Sequence, residues 1–96
     1  MQVVFHPSAQ LELNDTTTYY DSISRKLGDN FVDAVDRTLS RITQFPDAWT
    51  SMPLNARRSR VDGFPYGVVY RINDDCIQVL AIMHLQRQPN YWTERG

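Results

Sequence analysis

Residues 64–84, FPYGVVYRINDDCIQVLAIMH, carry two apolar runs on either side of Asn73-Asp74-Asp75. Val68, Val69, Tyr70 and Ile72 are β-branched or aromatic and suit a pleated, half-buried surface, which predicts a strand. Pro65 has no amide donor and fits the beginning of that strand. Asn and Asp tolerate the backbone conformations of a tight reversal, so the Asn73–Asp75 segment predicts a hairpin turn. Ile77–Met83 is a nearly unbroken apolar run, as expected of a central strand covered on both faces. Upstream, residues 57–61 predict one further strand, joined through a turn at Asp62-Gly63. From residue 57 onward the chain therefore reads as a three-stranded meander.

Ahead of the meander the hydrophobic period changes from strand to helix. Val3, Val4 and Phe5 form a short apolar run, expected to be a first strand. Pro7 and Ser8 then open a helix with Ser8 as its cap. Leu13, Thr17, Tyr20 and Leu27 follow helical spacing, and Gly28 is placed to end the helix just past its last turn. A second helix is expected from Asp29 or Asn30, with Asp33 and Asp36 near its positive end. Its apolar stripe is Phe31, Val35, Leu39, Ile42 and Phe45, and Pro46 stops it. Two helices with almost no loop between them imply an antiparallel helical hairpin. Residues 46–56, PDAWTSMPLNA, have two prolines and no periodicity and read as a loop. The order β-α-α-β-β-β predicts an α+β fold, a two-layer sandwich with the helical hairpin on a small, mainly antiparallel sheet. Residues 1–96 are expected to form a single domain.

Composition excludes several classes. The chain is 42% apolar and 22% charged, as in ordinary globular domains. No apolar run approaches the roughly 20 residues that cross a bilayer, and the N-terminus lacks the pattern of a signal peptide, so a cytoplasmic protein with no membrane partner is expected. A single cysteine, Cys76, is consistent with a reducing compartment and reads as core or strand edge. His6 and His84 are the only histidines, and no spacing resembles a zinc site, a P-loop or a dinucleotide-binding loop, so neither metal nor cofactor is expected. Net charge is −1, unevenly spread. Residues 1–54 carry four basic and seven acidic side chains, whereas residues 55–96 carry six arginines against four acids. Arginine favours bidentate and stacked contacts over diffuse charge. The local excess is nevertheless small for a protein whose affinity rests on nucleic-acid phosphates.

Side chains that could carry chemistry gather late in the chain. Arg58 and Arg60 are two apart in a predicted strand and share a face, while Arg57 points to the other. Beyond the last strand come His84, Arg87, Pro89, Tyr91, Trp92 and Arg95. If the meander ends bring these together, arginines beside a histidine or tyrosine could hold and polarise a phosphodiester. The same set could form a solvated basic edge that pairs with the acids of a partner. His84 could act as acid or base, the chemistry histidine is best suited to, or as a structural hydrogen-bonder. Tyr91 and Trp92 could stack on bases or pack the tail onto the helices, the latter being the expectation for Trp92. After Pro89 the tail reads as either a short helix or an extended arm.

Taken together, FPYGVVYRI, the following VLAIMH and the closing R-x-P-x-YW-x-x-R resemble the RelE/ParE superfamily of bacterial toxins from type II toxin–antitoxin modules. The resemblance extends to HPSAQLEL at the first helix, the YYDSISRKLG join and the F-x3-V-x3-L-x2-I helix that ends before a proline. It implies a β-α-α-β-β-β sandwich and a cognate antitoxin whose C-terminal segment wraps the helical hairpin and covers the basic edge. Two mechanisms divide the superfamily. RelE-like members cleave mRNA on the ribosome, and ParE-like members, often plasmid-stabilisation proteins, poison DNA gyrase. By position, a nuclease would draw its catalytic set from Arg58, Arg60, His84, Arg87 and Tyr91. Partner binding would use Arg57, Arg58, Arg60, Arg87, Tyr91, Trp92 and Arg95. One departure bears on the choice: nuclease members usually carry an arginine where this chain has Gly67. Losing one such cation at a scissile phosphate typically costs on the order of 100-fold or more in rate. The resemblance therefore implies a ParE-like, gyrase-directed toxin, with a ribosome-dependent endonuclease and a non-toxic antitoxin-binding module as alternatives.

Overall fold

The computed structural model describes residues 1–96 and has the element order β1 (Gln2–Phe5), α1 (Pro7–Ile23), α2 (Arg25–Gln44), β2 (Thr50–Ser51), β3 (Arg57–Arg60), β4 (Tyr66–Asn73) and β5 (Cys76–His84). The five strands form one mixed sheet in the order β1-β5-β4-β3-β2. β1 runs parallel to β5, from Gln2 opposite Cys76 to Phe5 opposite Val79, and the other pairings are antiparallel. The α+β sandwich with its helical hairpin on one face is thus as expected; β5 is covered on both faces as its apolar run implied, but it lies second from the β1 edge and β4 is the middle strand. The loop at 46–56 contains one strand that periodicity could not show. Thr50 and Ser51 pair with Arg58 and Arg57, and Leu54 and Asn55 turn the chain with φ of 61° and 60°.

The helical hairpin differs from its sequence-based bounds at three places, each for a local reason. The cap of α1 is His6, not Ser8. Pro7 occupies the first helical position, where its fixed φ is already suitable, and His6 Nδ1 accepts from the Ser8 amide at 3.1 Å. The join between helices is Ser24 rather than Gly28. Ser24 is extended (φ −160°, ψ 147°), its amide donates to Tyr20 O to close α1, and its Oγ accepts from the Leu27 amide at 3.0 Å to open α2. Leu27 and Gly28 therefore belong to α2. Gly28 lies where the helices touch: a Cβ there would stand 1.7 Å from Asp21 Oδ1 and 3.2 Å from Asp21 Cα. Finally, Phe45 lies one residue past the end of α2 and is 61% exposed, so the buried stripe ends at Ile42.

Two apolar clusters form on opposite faces of the sheet. On the helix face, Phe31, Ala34, Val35 and Ile42 of α2 pack on Val68, Tyr70, Ile77, Val79 and Ile82, with Ala9 as the one fully buried residue of α1. Tyr20, Phe31, Phe64 and Tyr66 extend this core as an aromatic group with neighbouring centroids 5.0–6.4 Å apart, edge-to-face except for the tilted Tyr20–Phe31 pair. The other face carries Val69, Leu80, Ala81 and Met83 and is covered by Ala56 and Trp92. A bulge at Val69/Tyr70 leaves Leu80 as the extra residue of β5, so that Leu80 and Ala81 both turn to this second face. The tail thus packs on the sheet, not on the helices as expected of Trp92. It is neither a helix nor an extended arm: successive turns join Tyr91, Thr93 and Arg95 amides to the Gln88, Asn90 and Trp92 carbonyls. Complete burial of Trp92 removes on the order of 200 Å² from water, worth up to about 5 kcal/mol.

Candidate functional site

The sheet divides the arginines expected at a functional edge between its two faces. Antiparallel partners share a face, and Arg58 and Arg60 lie opposite Val69 and Gly67. Val69 belongs to the cluster under Trp92, so both arginines project on the side away from the helices. Neither forms an ion pair. The stem of Arg58 crosses Gly67 closely: a Cβ at Gly67 would lie 2.9 Å from both Cγ and Cδ of Arg58 and 3.4 Å from Leu85 Cδ2. Glycine at this position therefore makes room for Arg58, and a longer side chain would displace it. Arg57 points to the opposite face, as its spacing implied, and is tied down by donating to Trp49 O at 2.8 Å and Ser51 Oγ at 3.3 Å.

A separate cleft of about 210 Å³ lies on the helix side at the end of β5. Glu12, Asp15 and Thr16 of α1 form one wall; Tyr66, Ile82, His84 and Arg87 form the rest. His84 is opposite Tyr66 in the register, with ring centroids 5.0 Å apart in an edge-to-face contact. Its Nδ1 accepts from the Gln86 amide at 3.1 Å, so the neutral ring carries its proton on Nε2. Arg87 is exposed, with no ion pair, and its Cζ sits 3.8 Å from the centre of the Tyr91 ring. The structure thus brings His84, Arg87 and Tyr91 together and leaves Arg58 and Arg60 on the far face.

The tail is held to this cleft by a residue that carried no signal in the sequence. Glu12 accepts from Arg95 Nη1 at 2.8 Å and Nη2 at 3.2 Å, from Tyr91 Oη at 2.8 Å, and from the Ile82 amide at 3.1 Å. Arg95 also donates to Leu80 O at 3.0 Å. β1 stops opposite Val79, so the Leu80–Ile82 edge of β5 has no strand partner there. Glu12 and Arg95 satisfy it with side chains. Burial, with 17% side-chain exposure for each, and the bidentate contact within a four-donor network mark this pair as more than a surface bridge. Burial raises the Tyr91 pKa well above the ordinary tyrosine value, and its bond to Glu12 raises it further. Burial opposes the charge on Arg95, but Glu12 outweighs it and the pKa is raised. Arg95 and Trp92, expected at a partner-binding edge, are therefore used within the fold. Trp92 is fully buried, with Nε1 donating to Pro89 O at 2.8 Å. No three His, Cys, Asp or Glu side chains are grouped to hold a metal ion, and no helix is long and apolar enough to cross a membrane.

Comparison with known proteins adds an independent observation. Residues 3–89 match the family described as "ParE toxin of type II toxin-antitoxin system, parDE". Two proteins named Toxin ParE2, from Mycobacterium tuberculosis strains CDC 1551 / Oshkosh and ATCC 25618 / H37Rv, are each 34% identical over 90 residues, covering 88% of this chain and 82% of theirs. A solved structure titled "Chromosomal ParDE TA system from P. aeruginosa" shares the fold with a TM-score of 0.63 at 16% identity, over 88% of this chain and 95% of that one.

Proposed function

This chain belongs to the ParE toxin family of type II toxin–antitoxin systems, and from that premise we propose that it arrests growth by acting on DNA gyrase in the cytoplasm and is neutralised by a cognate antitoxin. The observation that carries gyrase over mRNA cleavage is the division of cationic and titratable groups between two faces of the sheet. In-line attack on one phosphate needs its cations and its acid or base within about 3 Å of the reacting atoms. Arg58 and Arg60 stand on one face, His84 and Arg87 on the other. Gly67 supplies no further cation, and the stem of Arg58 fills its place. Tyr91 is also a poor proton donor or acceptor near neutrality, since its hydroxyl is committed to Glu12 and its pKa is raised. A surface that docks on a protein target has no such need for convergence.

The antitoxin surface we assign has two parts. Leu11, Tyr19 and Ile23 lie 58–60% exposed along the outer side of α1 and suit an apolar segment laid across the hairpin. Arg58 and Arg60 with Arg87 suit acids from the same partner. Pulse labelling after induction, without antitoxin, tests the target. DNA synthesis should fall before protein synthesis, with induction of the DNA-damage response. Immediate arrest of translation with mRNA cut in the ribosomal A site would instead establish the nuclease, and normal growth would leave only an antitoxin-binding module.

A further inference from the structure

Arg87 is the one arginine at the cleft free to meet a target, yet nothing charged holds it. Its guanidinium rests on the Tyr91 ring, 3.8 Å from the centroid. An exposed cation–π contact biases such a side chain toward the stacked rotamers only about two- to fivefold. The bias is useful only if the ring itself is fixed. Tyr91 is in a tail without helix or strand, held at its hydroxyl by Glu12. Glu12 is in turn anchored to rigid structure through the Ile82 amide of β5 and through Arg95, whose Cζ also lies 4.9 Å from the centre of the Tyr91 ring. The carboxylate has four donors and so no freedom to swing.

We propose that Glu12 is the positioning residue for Arg87: it fixes the Tyr91 ring, and the ring presents the Arg87 guanidinium at the mouth of the cleft toward the toxin's target. The placement is a matter of geometry, and its use by the target rests on the toxin function proposed above and on the exposure of Arg87 at the cleft, which leaves it open to the target when the antitoxin is absent. Glu12 reaches Arg87 only through Tyr91, so it acts without contact to the target. Its replacement should mimic loss of Arg87 while leaving the two apolar clusters in place.

Two measurements on the full chain test this. In proton NMR, ring current from Tyr91 should shift the Arg87 δ-methylene resonances upfield. Glu12→Gln should remove at least about half of that shift while the Trp92 indole resonance keeps its folded position. Unchanged Arg87 resonances in folded Glu12→Gln protein would overturn the proposal. Should Glu12→Gln fail to fold, Tyr91→Phe replaces it, deleting only the hydroxyl, with the same two outcomes. The second measurement is growth arrest on induction. Glu12→Gln and Arg87→Ala should each weaken it by at least about tenfold in surviving cells, and the double variant no further than Arg87→Ala alone. Additive losses would mean that Glu12 acts through stability, and the proposal would fall. If Arg87→Ala leaves arrest intact, it is the assignment of Arg87 to the target that fails, and the NMR result still decides the positioning.

Discussion

Single positions in this chain do two jobs that composition does not separate. Glycine is the plainest case. Gly28 looks like a helix stop, but its missing Cβ lets α2 pass Asp21 of α1. The Asp21 carboxylate could rotate into solvent, whereas its Cα could not. Gly28→Val should therefore cost about 2 kcal/mol in chemical denaturation even though valine is the better helix former. Tyr70 carries a prediction of a different kind. It is fully buried, its hydroxyl donates to Pro46 O, and burial pushes its pKa up to about 12 against a partial opposing effect of Arg57. The unfolded chain ionises near 10.0, so it releases a proton that the folded chain still holds. Stability is then full below pH 10 and falls as pH rises toward 12, with Tyr20 and Tyr91 acting in the same direction. Tyr70→Phe should cost about 1 kcal/mol near neutrality and make the alkaline decline shallower, as denaturation at about pH 9 and about pH 11 would reveal.

Among the elements, those with a strong period were legible and those held by single contacts were not. The stripe on α2 and the apolar run of β5 announce themselves because each buries a whole face. Helix bounds were missed because Ser24 does with one hydroxyl what Gly28 was expected to do with backbone freedom. Ser24→Ala should therefore lower stability by about 1 kcal/mol, read as a shift in the denaturation midpoint. β2 was invisible for a similar reason: two residues in a proline-rich loop have no alternation to read. The tail was the hardest element. Its arginines and aromatics suggested a functional edge, and Arg87 does stand exposed beside the cleft. Trp92 and Arg95, however, are spent on covering the second face of the sheet and on closing the open edge of β5. Nothing local in the sequence links Glu12 to residues some 80 positions later. Trp92→Ala should cost about 3–5 kcal/mol, and thermal unfolding that moved by only a degree or two would contradict the tail's place in the core.

On the scale of the whole molecule, the sheet acts as a partition. Helices, His84, Arg87 and the cleft lie on one side; Arg58, Arg60 and the Trp92 cluster lie on the other. The residue types had suggested a single constellation, because a sequence records spacing along strands but not which strand face a turn delivers. Arg58→Glu with Arg60→Glu should weaken antitoxin binding by at least about tenfold, mainly through the association rate and less so at high salt. Unchanged affinity would remove the acidic clamp from the account. The claim that organises the rest is that this divided surface docks on a protein rather than cutting RNA. Purified toxin, assayed with DNA gyrase and in parallel with programmed ribosomes, tests it most directly. The account predicts inhibition of gyrase supercoiling that antitoxin reverses, with mRNA left whole. Site-specific mRNA cleavage on the ribosome, with gyrase unaffected, would contradict it.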